Sequence, residues 1–208
     1  RQCWICSILN VVSVHFMCGI AGALEYERIS GIGDADGLLR IVKSINARQI
    51  HRGPDDQGVW SDGICALGHR RLSILDLSTA GRQPMPLVRS GTVPLQIVFN
   101  GEIYNYRELS DQLRLRGHRF SSASDTEVIV HLYEELGERC IDELRGMFAL
   151  AIWDADRRRL FLARDRLGIK PLYYVKGNGW LSFASEIKAL LVDQRIPRAV
   201  DLDGLSSF

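Results

Sequence analysis

The spacing of apolar residues changes several times along the chain, and each change marks an element. Cys18 to Tyr26, CGIAGALEY, is a glycine-punctuated apolar run of strand length. ISGIGDADG behind it is loop, and GLLRIVKSINARQI then places Leu38, Leu39, Ile41, Val42 and Ile45 on one helical face. HRGPDDQG stops that helix, because Gly53-Pro54-Asp55 is turn chemistry. GVWSDGICALGHRRLSIL alternates as a hairpin turning near Ser61-Asp62-Gly63, with Arg70 and Arg71 opening a further strand segment. LSTAGRQPMP is loop, and LQIVFNGEIYN is a strand running into a polar tip.

Two helices follow, YRELSDQLRLRG stopped by Gly117 and TEVIVHLYEELG stopped by Gly137. Ser124 before the second helix and Glu127 three positions later form a capping box. MFALAIWDADRRRLFLARD predicts two strands joined at Asp154-Ala155-Asp156, the acids and Arg157 lying on a solvated turn. PLYYVKGNGWLSFAS predicts a hairpin at Asn178-Gly179, and EIKALLVD a closing helix. Strand pairs joined by hairpins, with helices grouped between and after them, predict an α+β fold of antiparallel sheets that bury helices on their faces.

Composition narrows the class without naming it. The 208 residues are 46% hydrophobic and 25% charged, which suits one packed domain. The net charge of +1 gives no electrostatic footprint for nucleic acid. Five scattered cysteines (Cys3, Cys6, Cys18, Cys65 and Cys140) argue against a disulfide framework and for a reducing, cytoplasmic setting. Gly31-x-Gly33 lacks the third glycine of a dinucleotide fingerprint. His51, His69, His118 and His131 show no metal-ligand spacing, so no metal site is expected. RQCWICSILNVVSVHF is too short to span a bilayer and has no small-x-small site before Cys18. Residues 1–17 are read as an upstream leader ending in an initiator Met17, with a cleaved propeptide or a signal as the other readings, residues 18–195 as the domain, and 196–208 as the start of a linker.

The candidate chemistry starts at Met17-Cys18-Gly19. An α-amine titrates near 7.7–8 and can take a proton from a thiol of pKa about 8.5, so a cysteine standing first carries nucleophile and base together. An amide nitrogen cannot do this, since resonance removes its basicity. Asn100 and Gly101, in FNGEIYN, supply a side-chain amide beside a glycine N–H, two donors suited to an oxyanion. Arg71 offers a rigid guanidinium fork for a carboxylate. Asp125 at a helix start is otherwise a dipole-compensating acid.

Together, MCGIAG, HRGPDDQG, HRRLSILD, FNGEIYN, SDTEVI, GMFALAIWD, ARDRLGIKPLYY and ASEIKAL resemble, in order and spacing, the glutaminase domain of class II glutamine amidotransferases. NGEIYN with RLSILD and ASEIKAL resembles the branch found in glutamine-hydrolysing asparagine synthetases. The resemblance implies an N-terminal-nucleophile fold, two stacked antiparallel sheets between helical layers. It implies Cys18 as nucleophile, Asn100 and the Gly101 N–H as oxyanion hole, and Arg71 as holder of the glutamine α-carboxylate. Glu102 and Asp125 would hold the α-ammonium, with Leu72 and Ile74 as further backbone contacts. It also implies a C-terminal synthetase domain that binds ATP and magnesium to amidate aspartate. No pyrophosphate loop for that domain occurs here, so no cofactor is expected in this chain, and the assembly allowed is a homodimer. The same half-reaction serving another acceptor, and an inactive glutamine-binding module with Cys18 left capped, are the competing readings.

Overall fold

The structure is a computed structural model that describes residues 17–26, 35–72, 81–89 and 92–199. Strand β1 (Gly19–Glu25) is followed by helix α1 (Ala35–Arg48) and the hairpin β2 (Asp56–Ser61) and β3 (Cys65–Arg71). A second hairpin, β4 (Met85–Arg89) and β5 (Thr92–Ile103), leads to α2 (Tyr106–Leu115), α3 (Asp125–Leu136) and the short α4 (Cys140–Glu143). Then come β6 (Gly146–Asp154), β7 (Arg159–Arg164), β8 (Tyr173–Lys176), β9 (Trp180–Ala184) and α5 (Ile187–Leu190). Every recorded strand pairing is antiparallel, in two sheets ordered β2-β3-β1-β9-β8 and β4-β5-β6-β7.

The period-two alternation of each strand sorts its side chains into layers. Ile20 of β1, Cys65 and Leu67 of β3, Phe183 of β9, Val98 of β5 and Ala149, Ala151 and Trp153 of β6 form one buried cluster between the sheets. The opposite face of the first sheet, through Ala21, Ala23, Ala66 and Ala184, packs on Leu38, Val42 and Ile45 of α1 and on α5. The opposite face of the second sheet, through Ile97, Phe99, Leu150 and Ile152, packs on α2 and α3. Helix, sheet, sheet, helix is the resulting order. The α+β expectation holds, and both sheets are buried on both faces.

Several local expectations are corrected. LSTAGRQPMP is not all loop, since Met85–Arg89 pairs with β5 as an edge strand; its alternation is masked by two prolines. The polar tip Asn100-Gly101-Glu102 stays inside β5, opposite Ala149, Phe148 and Met147. A Cβ at Gly101 would come within 2.2 Å of the Met147 carbonyl oxygen, so glycine here is a packing requirement. Arg70 and Arg71 end β3 rather than open a strand. The capping box is half formed. Ser124 Oγ accepts from the Thr126 N–H, but Glu127 turns away to accept from the Ser121 and Ser122 N–H groups, both at 2.7 Å. Asp154 is buried rather than solvated and accepts from the Arg157 backbone and guanidinium.

Trp153 is the largest side chain of the inter-sheet layer, 1% exposed, and its Nε1–H donates to Asp62 Oδ2 at 2.6 Å. Trp153→Ala should lower the unfolding free energy by about 3–5 kcal/mol through the cavity it leaves. Trp153→Phe loses chiefly the hydrogen bond and should cost about 1–3 kcal/mol. Urea unfolding followed by circular dichroism measures both, and equal losses would show that packing between the sheets contributes little.

Candidate active site

The site grows from the point where β4 stops. β4 pairs with β5 only as far as Met85 opposite Ile97, so the outer edge of β5 beyond Ile97 has no strand beside it. Alternate residues send their backbone groups to the same edge. Two of those donors are taken by side chains: Phe99 N–H donates to Gln83 Oε1 at 2.6 Å, and Ile103 N–H donates to Asp125 Oδ2 at 3.0 Å. Gly101 lies between them in the same phase, so its N–H is directed at the same edge. The Phe99 carbonyl accepts from His69 Nε2 at 3.2 Å, and Gln83 Nε2 donates onward to Thr126 Oγ1 at 3.2 Å.

Cys18 stands at the head of β1, the middle strand of its sheet. Its carbonyl accepts from Arg52 Nε at 3.0 Å, and Arg52 Nη1 is paired with Glu186 Oε1 at 3.2 Å. Two residues on, Ile20 N–H donates to Ser185 Oγ, while the Ile20 carbonyl accepts from Gln49 Nε2 and the Ser185 N–H. The strand end is therefore held from α1 and from the β9–α5 connection. The Cys18 sulfur accepts from the Leu72 N–H at 3.3 Å. Burial raises the thiol pKa, against the Leu72 hydrogen bond and the charges of Arg71 and Arg52, which lower it; Asp125 adds to the rise. The net rise keeps the sulfur protonated at neutral pH, so it needs a base.

A cleft of about 480 Å³, open mouth included, brings Cys18, Arg71, Leu72, Gly101, Glu102 and Asp125 together. One fixed cation and two carboxylates face the same space. Burial pushes the Asp125 carboxyl up to about 6, with the nearby Glu102 carboxylate adding to the rise against backbone hydrogen bonds from Ile103 and Thr126. No ion pair to Asp125 is formed among the described residues, and an incoming ammonium would supply a cationic partner. Asn100 lies beside the wall of the cleft, 2% exposed, and shares the inter-sheet face of β5 with Val98. Its Nδ2 has no hydrogen-bond partner among the described residues. Ile74 lies outside the described residues.

Sequence reasoning missed four residues that shape this site. In sequence Arg52 reads only as part of a helix stop, Gln83 as loop, Glu186 as the start of a helix and His69 as one of several strand residues. Only His69 carried a usable signal, because it alternates with Cys65 and Leu67 and so had to point between the sheets. Burial, against the Phe99 hydrogen bond, lowers its pKa to about 3, so the ring is neutral. A carbonyl can only accept, so Nε2 carries the proton and Nδ1, unpartnered among the described residues, is a bare acceptor on the cleft wall.

Two antiparallel sheets between helical layers, with a cysteine heading a central strand beside a charged cleft, are the architecture of the N-terminal-nucleophile fold. The chain's fold matches glutamine phosphoribosylpyrophosphate (PRPP) amidotransferase from B. subtilis with a TM-score of 0.69 at 22% identity, over 84% of this chain and 43% of that one. The profile of the glutamine amidotransferase domain matches residues 17–208, and the chain belongs to that family. It is 43% identical over 192 residues to asparagine synthetase [glutamine-hydrolyzing] 3 of Bacillus subtilis (strain 168), covering 92% of this chain and 30% of that protein. It is 42% identical over 179 residues to asparagine synthetase [glutamine-hydrolyzing] 2 of Oryza sativa subsp. japonica, covering 85% of this chain and 28% of that protein. The chain thus spans about a third or less of the length of these relatives. Among the described residues no helix is long and apolar enough to cross a membrane.

Proposed function

We propose that this domain hydrolyses the side-chain amide of glutamine to glutamate and ammonia, with Cys18 as nucleophile. The observation that carries this reading is the convergence on one cleft of a cysteine sulfur, the Arg71 guanidinium and the Glu102 and Asp125 carboxylates. Free glutamine is a zwitterion, so its recognition requires one cation and at least one anion fixed at one end and a reactive group at the other. Arg71 holds the α-carboxylate, Asp125 and Glu102 the α-ammonium, and the backbone at Leu72 borders the substrate.

In the reaction, the Cys18 α-amine takes the thiol proton and the sulfur attacks the γ-carbonyl carbon. The carbonyl π electrons move to oxygen, where the Asn100 amide and the Gly101 N–H donate to the oxyanion. Collapse breaks the carbon–nitrogen bond as the α-ammonium returns its proton to the departing ammonia. Water then attacks the γ-glutamyl thioester, the amine again acting as base, and glutamate leaves with the thiol restored.

The names of the relatives support a destination for the ammonia: amidation of aspartate in a synthetase portion of a longer protein. ATP and Mg²⁺ would be bound by that portion, and the glutaminase steps require neither. A cytoplasmic setting is supported by free thiols at Cys18, Cys65 and Cys140.

The test is the pH dependence of glutamine recognition in a chain trimmed to begin at Cys18. Asp125 binds an ammonium only when ionised, so the KM for glutamine should rise as pH falls through about 6, approaching tenfold per pH unit below it. Asp125→Asn should show a raised KM with this pH dependence gone. The stability sign runs the other way. A carboxyl raised from its ordinary value to about 6 destabilises the folded state above the unfolded pKa, fully so above about 6. The Asn variant should therefore be more stable at pH 7, by about 1–3 kcal/mol. An unchanged KM in the variant would remove Asp125 from the site.

A further inference from the structure

Outside the cleft, the fold assembles a set of donors that the sequence spacing did not reveal. His118, in the connection between α2 and α3, and His131, on α3, are 13 residues apart, yet their Nδ1 atoms face each other at 3.0 Å. Glu134, one turn beyond His131 on the same helix face, brings Oε2 to 3.7 Å from His118 Nδ1 and 3.8 Å from His131 Nδ1. A point equidistant from three atoms so separated lies about 2 Å from each, the length of a zinc–nitrogen or zinc–oxygen bond. Behind the ligand atoms stand carboxylates. His118 Nε2 lies 2.9 Å from Glu135 Oε1, and His131 Nε2 lies 3.8 Å from Glu127 Oε1, itself fixed by Ser121 and Ser122.

Proton accounting sharpens the case. With both rings neutral, His118 donates Nε2–H to Glu135, which leaves its Nδ1 bare. The proton between the two Nδ1 atoms then belongs to His131, whose Nε2 must be a bare lone pair turned toward a carboxylate. That nitrogen is buried with His131, 5% exposed, and has no hydrogen-bond partner among the described residues. A metal ion in place of the shared proton reverses this. Both Nδ1 lone pairs then bind metal, and both Nε2 atoms carry protons directed at carboxylates, the arrangement that holds metal-ligating histidines.

We propose that His118, His131 and Glu134 form a binding site for a divalent transition metal of the zinc type, with water as fourth ligand. Two imidazoles and one carboxylate suit such an ion and are poor for calcium or magnesium. Partial exposure of His118 and Glu134 gives it entry from solvent. The ion would tie the connection after α2 to α3, about 9 Å along the helix axis from Asp125. It is a brace, not a participant in glutamine hydrolysis.

The experiment uses the untagged 208-residue chain, stripped with chelator, with Cys3, Cys6 and Cys18 replaced by Ser to remove competing thiolates. Titration with Zn²⁺ alone should show one equivalent bound with a Kd of roughly 1 μM or below and raise the unfolding temperature by roughly 5 °C. Co²⁺ should give the visible bands of a tetrahedral nitrogen and oxygen site without thiolate charge-transfer absorption. His118→Gln and His131→Gln should abolish binding. Glu134→Gln, a partly exposed and conservative change, should weaken it at least tenfold or so, and Glu135→Gln roughly 10–100-fold. The proposal is overturned by no Zn²⁺ binding up to about 1 mM, the result expected if a proton alone occupies the site. Binding that survives both histidine substitutions, or shows cobalt–thiolate absorption, overturns it equally.

Discussion

A chain trimmed so that Cys18 is its first residue is expected to release glutamate from glutamine, while the same chain carrying residues 1–17 should do so only at background rate. Burial leaves the Cys18 thiol protonated at neutral pH despite the Leu72 hydrogen bond and the nearby arginines, so turnover depends on a base within reach. In the proposed mechanism the free α-amine, a group that ordinarily titrates near 7.7–8, is that base, and it exists only when the residue is not acylated. Cys18→Ala should cost about 10⁴-fold or more in turnover. Glutamine binding should largely survive, because the proposed reading assigns the charged end to Arg71, Glu102 and Asp125, which line the cleft, and Arg52 still anchors the backbone of residue 18 through its carbonyl. Cys18→Ser should be nearly as inactive, since a hydroxyl is far harder to deprotonate with an amine of this basicity. A glutamine analogue with an electrophilic carbon at the amide position should label the sulfur of the trimmed chain. Side-by-side glutamate assays decide the matter. Equal rates, with mass spectrometry showing residues 1–17 still attached, would remove the N-terminal-nucleophile mechanism.

Asn100→Ala in the trimmed chain is expected to lower kcat about a hundredfold, roughly 3 kcal/mol of transition-state stabilisation, with KM nearly unchanged. The donor matters only as the substrate oxygen gains charge, so the ground state forfeits little. The stability readout should separate this role from a structural one. A buried amide nitrogen without a partner costs folding free energy, so its removal should leave the unfolding midpoint unchanged or higher. Asn100→Asp should be worse than Ala, because a carboxylate beside the developing oxyanion repels it. A large rise in KM at unchanged kcat would show that Asn100 binds the ground state and is not the oxyanion donor.

Much of the secondary structure was legible because it depends on local spacing. The helical face of Leu38, Val42 and Ile45 meets the first sheet as its period requires, and the alternation of β6 sends Ala149, Ala151 and Trp153 to one side and Leu150 and Ile152 to the other. β4 was hidden by Pro84 and Pro86, whose missing N–H groups are tolerated at a sheet edge but erase the usual strand signal. The Asn178-Gly179 turn appears where expected, though only Gly179 takes a positive φ, 75°, in a three-residue connection. Asp165 accepts backbone N–H groups from Phe148, Ile169 and Lys170, organising a loop that no local spacing announces.

By itself the sequence determined which chemistry this chain could carry: a cysteine behind a methionine, an amide beside a glycine, an arginine and two acids, on strands and a helix start whose order was readable from period and turn residues. Whether those groups meet was decided by tertiary structure alone. They come from the head of β1, the end of β3, β5 and the start of α3, separated by up to 107 positions, and nothing local relates them. The end of β4 leaves donors of β5 without a strand partner, and Gln83 and Asp125 then take two of them, so that the Gly101 N–H between them remains directed at the cleft. The meeting of His118 with His131 has the same origin. Twelve residues of chain lie between them, and the packing of the connection after α2 against α3, which no local spacing specifies, brings the two rings together.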